Sequence, residues 1–249
     1  MGVVDSDVGQ STFGPPTTIS MVTLSEPAQD LLSLRPKSLY FVGNNSPRGH
    51  FLEVVAGTKM MVDKARSGGC SAVVVDTSGL ITPVYGTILK FHKIELVGPS
   101  YVVAFERADE LEEILLAIGG RKSFGIKHLK VPKGVKRISP NERYERRKKS
   151  YRRYFSSAQE QRIERERVFV YPPKLDFLKM RDSSNLLVGL RDELGETLGI
   201  GILTAFDEQM LKVLTPVSDP RKVSALVVGV LRVEPSGDEA ARITPFRFH

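Results

Sequence analysis

The sequence is poor in cysteine and in long apolar stretches, and each shortage excludes a class of protein. Cys70 is the only cysteine among the 249 residues, so the chain can form no internal disulfide and no zinc site built on cysteines. The apolar runs are short, as at 224–230, and none approaches the roughly 20 residues that a membrane-spanning helix needs. Residues 1–10 are acidic and lack the basic and apolar regions of a signal peptide. We therefore expect a cytoplasmic location.

Positive charge is concentrated in one part of the chain. Residues 121–153 contain fourteen Lys and Arg against two Glu, a net charge of +12, whereas the whole chain carries +7 and the remainder therefore about −5. A dense basic stretch in an otherwise acidic chain indicates a local contact with a polyanion. The alternative is a solvated helix with a high surface charge.

Apolar patterns of strands and helices alternate along the first 120 residues. They predict one strand that ends at residues 3–4 and further strands at 38–42, 71–75, 94–97 and 101–105. They also predict helices at 50–65 and 109–118. The stretch 71–75 is nearly all apolar, which predicts a strand covered on both faces. The alternation predicts a parallel α/β sheet in a chain whose hydrophobic content, 41%, is enough for a real core.

Polar residues follow three of these strands: Asp5-Ser6-Asp7, Gly43-Asn44-Asn45 and Asp76-Thr77-Ser78-Gly79. Ligands of parallel sheets bind at the carboxyl ends of the strands. A carboxylate there can hold Mg²⁺ or accept a proton from an attacking hydroxyl. Each stretch alone could equally be an ordinary turn, but together they predict a shared site.

A basic helix is predicted from Ser139 to about Arg153. Ser139 can cap it, Pro140 suits the first turn and Glu142 can complete a capping box. With little apolar surface, the helix is expected to be a mobile lid or a ligand-facing arm and not a core element. Its arginines suit phosphate oxygens. Its tyrosines could stack on bases or pack against the protein, and both alternatives stay open.

Short strands are predicted after about residue 165, at 168–170, 185–190, 199–203, 210–214 and 225–233. The prediction is an α/β domain at 1–165, of which 121–165 is the basic lid segment, and a small β-rich domain at 166–249.

The order of these motifs resembles the polynucleotide 5′-hydroxyl kinase family, in its archaeal, two-domain form. The resemblance rests on Asp-Val-Gly-Gln-Ser-Thr-Phe-Gly-Pro-Pro at 7–16, Tyr-Phe-Val-Gly-Asn-Asn-Ser-Pro-Arg-Gly-His at 40–50, Asp-Thr-Ser-Gly at 76–79, the Arg-rich helix, and Asn-Leu-Leu-Val-Gly-Leu-Arg-Asp at 185–192. It implies a P-loop-kinase-like fold and transfer of the ATP γ-phosphate, with Mg²⁺, to the 5′-hydroxyl end of RNA or DNA.

The resemblance also implies roles for individual residues. Asp7 matches the carboxylate that orients or deprotonates the 5′-hydroxyl and, with Asp5, helps to place the metal. Arg143, Arg147 and Arg152 fall in the catalytic lid. The expected substrate-binding residues are Gln10, Ser46, Pro47, His50, Thr77, Ser78, Arg146 and Arg153.

The sequence departs from the family pattern in one respect. It contains no Gly-x-x-x-x-Gly-Lys-Ser/Thr, the loop whose backbone N–H groups hold phosphates, so no ATP-binding residues can be assigned. We therefore expect a sheet without its first strand and Walker A loop. Kinase activity would then require that segment ahead of Met1 or on a partner. The alternative function is a non-catalytic RNA-binding subunit of an RNA-processing complex.

Overall fold

The computed structural model describes residues 1–173 and 184–242, so parts of the predicted domain 166–249 lie outside the described residues. The N-terminal elements are β1 (Gly2–Ser6), β2 (Thr18–Thr23), β3 (Ser38–Phe41), α1 (Phe51–Ser67), β4 (Val73–Thr77), α2 (Tyr85–Val97), β5 (Tyr101–Glu106), α3 (Glu112–Ile118), β6 (Gly125–Lys130) and α4 (Pro140–Tyr154). The later strands are β7 (Gln159–Glu164), β8 (Phe169–Tyr171), β9 (Leu186–Arg191), β10 (Thr197–Phe206), β11 (Met210–Thr215), β12 (Ala225–Val233) and β13 (Glu239–Arg242).

The predicted α/β class is confirmed, but the main sheet is mixed and not simply parallel. In the described ranges its strand order is β13-β12-β9-β10-β3-β2-β1-β4, with β11 and β7 continuing from β10 and β8 beside β12. β1 and β4 are parallel, whereas β2 pairs antiparallel with both β1 and β3. β5 and β6 form a separate parallel pair. The sequence patterns missed β2, β6, β7 and β13.

The strand predicted at 71–75 is β4, and the expectation that both of its faces are covered is wrong. β4 pairs with β1 and with no other strand in the described ranges. Val74 is 52% exposed. An apolar run reports β propensity well, but it cannot report whether the strand lies inside a sheet or at its edge.

The strand predicted at 94–97 is also wrong, because these residues form the last turn of α2. Leu89, Lys93 and Val97 are buried at four-residue spacing, which is the period of a helix face. Lys93 breaks the apolar pattern of that face, and this concealed the helix.

The basic helix is α4, and the predicted capping box is confirmed: the Glu142 N–H donates to Ser139 Oγ and the Ser139 N–H to Glu142 Oε2. The expectation that this helix takes no part in a core is wrong. Tyr151 is 0% exposed, and Phe155, just after the helix, is also buried; both join a cluster that includes Phe41 and Leu187. A few aromatic side chains are enough to fix an otherwise charged helix.

Three apolar clusters support the site. One lies between α1, α2 and the β1–β4 strands, one inside the later strands, and the third between them under α4. The division at residue 165 stays a prediction; β7 pairs with β11, and β3 meets β10. Among the described helices, none has the length and apolar character to cross a membrane.

Candidate active site

The loop after β1 is folded around two carboxylates. Asp5 is buried, and its Oδ1 accepts from the Asp7 N–H at 3.0 Å while its Oδ2 accepts from Ser11 Oγ and the Thr12 N–H. Asp7 Oδ1 accepts from the N–H groups of Gly9 (2.9 Å) and Gln10 (3.1 Å). Such side-chain acceptors satisfy backbone donors that no strand or helix can pair. Oδ2 of Asp7 accepts no hydrogen bond within 1–173 and 184–242.

Burial raises the pKa of Asp5 to about 6, because desolvation outweighs the hydrogen bonds that favour its charged form. Desolvation and the neighbouring Asp7 charge also raise the pKa of Asp76. Burial and the closeness of these carboxyl groups therefore disfavour their charged forms at the carboxyl ends of β1 and β4.

The loop after β3 meets the loop after β1. A Cβ on Gly9 would lie 2.7 Å from the backbone oxygen of Asn45, so only a glycine allows this approach. Asn44 Oδ1 accepts from the Ser46 N–H, and Pro47 is buried. His50 precedes α1 with its Nδ1 3.7 Å from Glu53.

The carboxyl end of β4 lies beside that of β1. The parallel register places Asp5 opposite Asp76 and Ser6 opposite Thr77. Ser78 Oγ is buried, and among the described residues it has no hydrogen-bond partner. The predicted convergence of the stretches 5–7 and 76–79 is thus present in the structure.

Two lysines of this region were missed by sequence reasoning. Lys90 Nζ donates to Thr77 Oγ1 (2.7 Å) and the Ser78 carbonyl (2.6 Å), and Lys93 Nζ donates to Ser6 Oγ (2.7 Å). Burial lowers the pKa of Lys90 to about 8 and that of Lys93 to about 7. The only sequence signal was their i, i+3 spacing, which places them on one helix face.

Gln10 connects the loop after β1 to the basic helix. Its Nε2 donates to the carbonyl of Gly9 (2.6 Å) and to that of Arg143 (3.2 Å). Its buried Oε1 has no hydrogen-bond partner in the described part of the chain. A buried, unpaired acceptor next to Asp7 and to the N-terminal half of α4 is suited to a polar substrate group.

The five predicted site residues on α4, all arginines, divide into two groups. Arg147 is paired with Glu239, Arg152 Nε donates to the Ser236 carbonyl and Arg153 to the Leu32 carbonyl. The guanidinium groups of Arg143 and Arg146 are exposed and make no hydrogen bond or ion pair within the described ranges. Arg152 and Arg153 thus lie at the end of the helix that is farther from Gln10.

The tyrosines of α4 hold the helix in place. Tyr144 donates to Asp238 (2.8 Å), and the Tyr154 hydroxyl accepts from the Ile200 N–H (2.9 Å). Tyr151 is in the core. Of the two alternatives left open by the sequence, these contacts correspond to packing.

Comparison with known proteins identifies the family. The family model described as mRNA cleavage and polyadenylation factor CLP1 P-loop matches residues 1–157. The chain belongs to this family. The CLP1 P-loop family match covers the loop after β1, the loop after β3, the end of β4, α2 and the whole of α4.

Curated relatives are similar over nearly the whole chain. Polyribonucleotide 5′-hydroxyl-kinase PH0197 of Pyrococcus horikoshii is 32% identical, with 96% of this chain and 79% of that protein covered. Polyribonucleotide 5′-hydroxyl-kinase MJ1315 of Methanocaldococcus jannaschii is 29% identical, with 96% and 80% covered. The resemblance that the motif order indicated is confirmed.

A solved structure of a Clp1p–Pcf11p complex is similar in fold. Its match has a TM-score of 0.67 and 15% sequence identity, and covers 93% of this chain and 67% of that chain. A second structure of these two proteins gives 0.66 and 14%. The P-loop-kinase-like fold is therefore confirmed.

Proposed function

We propose that the chain takes part in ATP-dependent phosphorylation of the 5′-hydroxyl end of RNA. Its curated relatives are named polyribonucleotide 5′-hydroxyl-kinases, and their names do not favour a non-catalytic RNA-binding subunit. The observation that carries the proposal is the Asp7 carboxylate: Oδ1 is fixed by two backbone N–H groups. Oδ2 is left to face the reacting group.

In the proposed reaction Asp7 orients the 5′-hydroxyl and accepts its proton. The hydroxyl oxygen forms a bond to the γ-phosphorus of ATP as the bond to the β,γ-bridging oxygen breaks, and ADP leaves with that electron pair. The products are a 5′-phosphate end and ADP. Because Asp7 is fixed before substrate arrives, the step needs little rearrangement of the base.

The donor set fits a Mg²⁺ ion that is shared with the substrate. In the described ranges no group of three His, Cys, Asp or Glu could hold a metal alone, but Mg²⁺ in kinases is bound by one or two carboxylates together with substrate phosphates and water. Asp7 would help to place the ion while its Oδ2 stays available to the hydroxyl proton; Asp5 keeps both oxygens on the loop, so the ligand role predicted for it would need one of those contacts to open. When bound, the ion neutralises charge on the transferring phosphoryl group.

The RNA end would lie between the loops and α4. We propose that Arg143 and Arg146 bind phosphates, and that Gln10 and Ser78 offer unpaired polar atoms to the terminal nucleotide. The substrate-binding roles predicted for Ser46, Pro47, His50 and Thr77 are kept in this proposal, as is the catalytic role of the lid arginines. A cytoplasmic location would suit a substrate that is cellular RNA.

The test is product analysis with the protein as its gene encodes it. An oligoribonucleotide with a 5′-hydroxyl, the same RNA with a 5′-phosphate, and a 5′-hydroxyl DNA of equal sequence are incubated with γ-labelled ATP and Mg²⁺. We expect label on the 5′-hydroxyl RNA and none on the 5′-phosphate RNA. RNA binding without any transfer of label would overturn the kinase proposal in favour of an RNA-binding subunit.

A further inference from the structure

Two lysines of α2 bind the ends of two neighbouring strands. Lys93 donates to Ser6 and Lys90 to Thr77, and Ser6 and Thr77 are register partners in the parallel β1–β4 pair. The lysines are three residues apart on one helix face. One helix thus fixes, through two ammonium groups, the point where both polar loops leave the sheet.

The contact of Lys93 continues through the protein as a directed chain of hydrogen bonds. Thr58 Oγ1 donates to the Val54 carbonyl (2.6 Å) and lies 2.6 Å from Ser6 Oγ. The single hydroxyl proton of Thr58 is used on Val54, so Ser6 must donate to Thr58 and accept from Lys93. The orientation of the Ser6 hydroxyl, between Asp5 and Asp7, therefore depends on a donor at Lys93.

A buried ammonium group is costly unless nearby charge compensates for it. Lys93 is 3% exposed, and its hydrogen bond goes to a neutral hydroxyl. The opposite charges near it belong to Asp7, Asp76 and Asp5, the carboxylates of the candidate active site, and they act against burial and the like charge of Lys90. If this position served packing alone, an apolar residue would fill it with a smaller desolvation penalty. The candidate active site therefore explains a lysine here better than core packing does.

We propose that Lys93, assisted by Lys90, is a positioning residue of the phosphoryl-transfer site, which holds the ends of β1 and β4 so that Asp7 and Asp76 face the same phosphoryl group. This inference rests on the proposed 5′-kinase function. The lysines act through Ser6 and Thr77 and do not themselves need to touch substrate.

The test compares K93M, K90M and S6A with K59M, which removes a lysine that is ion-paired to Asp63 on the neighbouring helix. For K93M we expect kcat to fall on the order of 100-fold, the cost of misplacing a reacting group, with KM for RNA and ATP nearly unchanged. S6A, which keeps the ammonium but removes its acceptor, should lower kcat roughly 10-fold, the size of one charge-assisted hydrogen bond. K90M should lower kcat in the same direction, and K59M should stay within about 2-fold of wild type.

Melting temperature separates positioning from a purely structural role. We expect K93M to melt within about 4 °C of wild type, because the lost contact is offset by the ammonium that no longer has to be buried. The inference is overturned if kcat per folded molecule is unchanged in both K93M and S6A, so that any loss of total activity only follows the folded fraction. A wild-type protein without transfer to 5′-hydroxyl RNA would instead refute the proposed function.

Discussion

Arg147 and Glu239 form a two-point ion pair that attaches the basic helix to β13. Arg147 Nε lies 2.6 Å from Glu239 Oε1 and its second nitrogen 2.9 Å from Oε2. Asn45, from the loop after β3, also donates to Glu239 Oε1 at 2.9 Å. One carboxylate of the C-terminal part thus connects the basic helix and the loop after β3. The predicted catalytic role of Arg147 would require it to leave this pair.

Breaking the pair should destabilise the fold. We expect R147M to lower the free energy of unfolding by about 3 kcal/mol, because it leaves a mostly buried carboxylate without its partner. R146M, one residue away on the exposed face, should change it by less than about 0.5 kcal/mol. Urea denaturation followed by circular dichroism measures both values. Equal stability of the two variants would show that the pair does not hold α4.

Arg143 and Arg146 should control the salt dependence of RNA binding. Their guanidinium groups are exposed and make no hydrogen bond or ion pair in the described ranges, so they are available to bind phosphates. Each phosphate neutralised on a single strand adds about 0.7 to the slope of log K against log salt, so the R143A/R146A variant should lose about 1.4. R221A removes an exposed arginine that is paired with Asp219 and should leave the slope unchanged. If R143A/R146A and R221A gave the same slope of log K against log salt, the RNA phosphates would bind at another part of the surface.

Asp5 should make stability depend on pH in a defined direction. Its folded pKa is about 6, above the ordinary value of 3.8, so its contribution is complete below pH 4 and is lost as pH rises through 6. Relative to D5N, which does not titrate, wild type should lose on the order of 3 kcal/mol between pH 4 and pH 7. Free energies of unfolding measured across this range provide the test.

Asp207 is the control for that titration. It accepts from two backbone N–H groups in the turn before β11, and these lower its pKa. Its stabilising contribution is lost only at pH below the ordinary value, so the difference between wild type and D207N should stay flat from pH 5 to pH 7. A flat profile for D5N as well would contradict the burial of a titrating Asp5.

The sequence predicted what depends on local patterns. The capping box of α4, the helix α1 and the strand β12 follow from neighbouring residues alone. The ion pair of Arg147 joins residues 92 positions apart, and no spacing rule reports it. Lys93 was missed because a lysine is normally read as solvent-exposed, and its buried position depends on carboxylates from two distant strands.

If Asp7 is the base of a 5′-hydroxyl kinase, it must control the rate of single-turnover transfer of labelled phosphate to 5′-hydroxyl RNA. D7N is compared with D207N, the same substitution in a similar hydrogen-bonded turn far along the chain. We predict that D7N loses on the order of 1000-fold in rate while binding RNA normally, and that D207N retains the wild-type rate. Near-normal transfer by D7N would show that Asp7 is not the base.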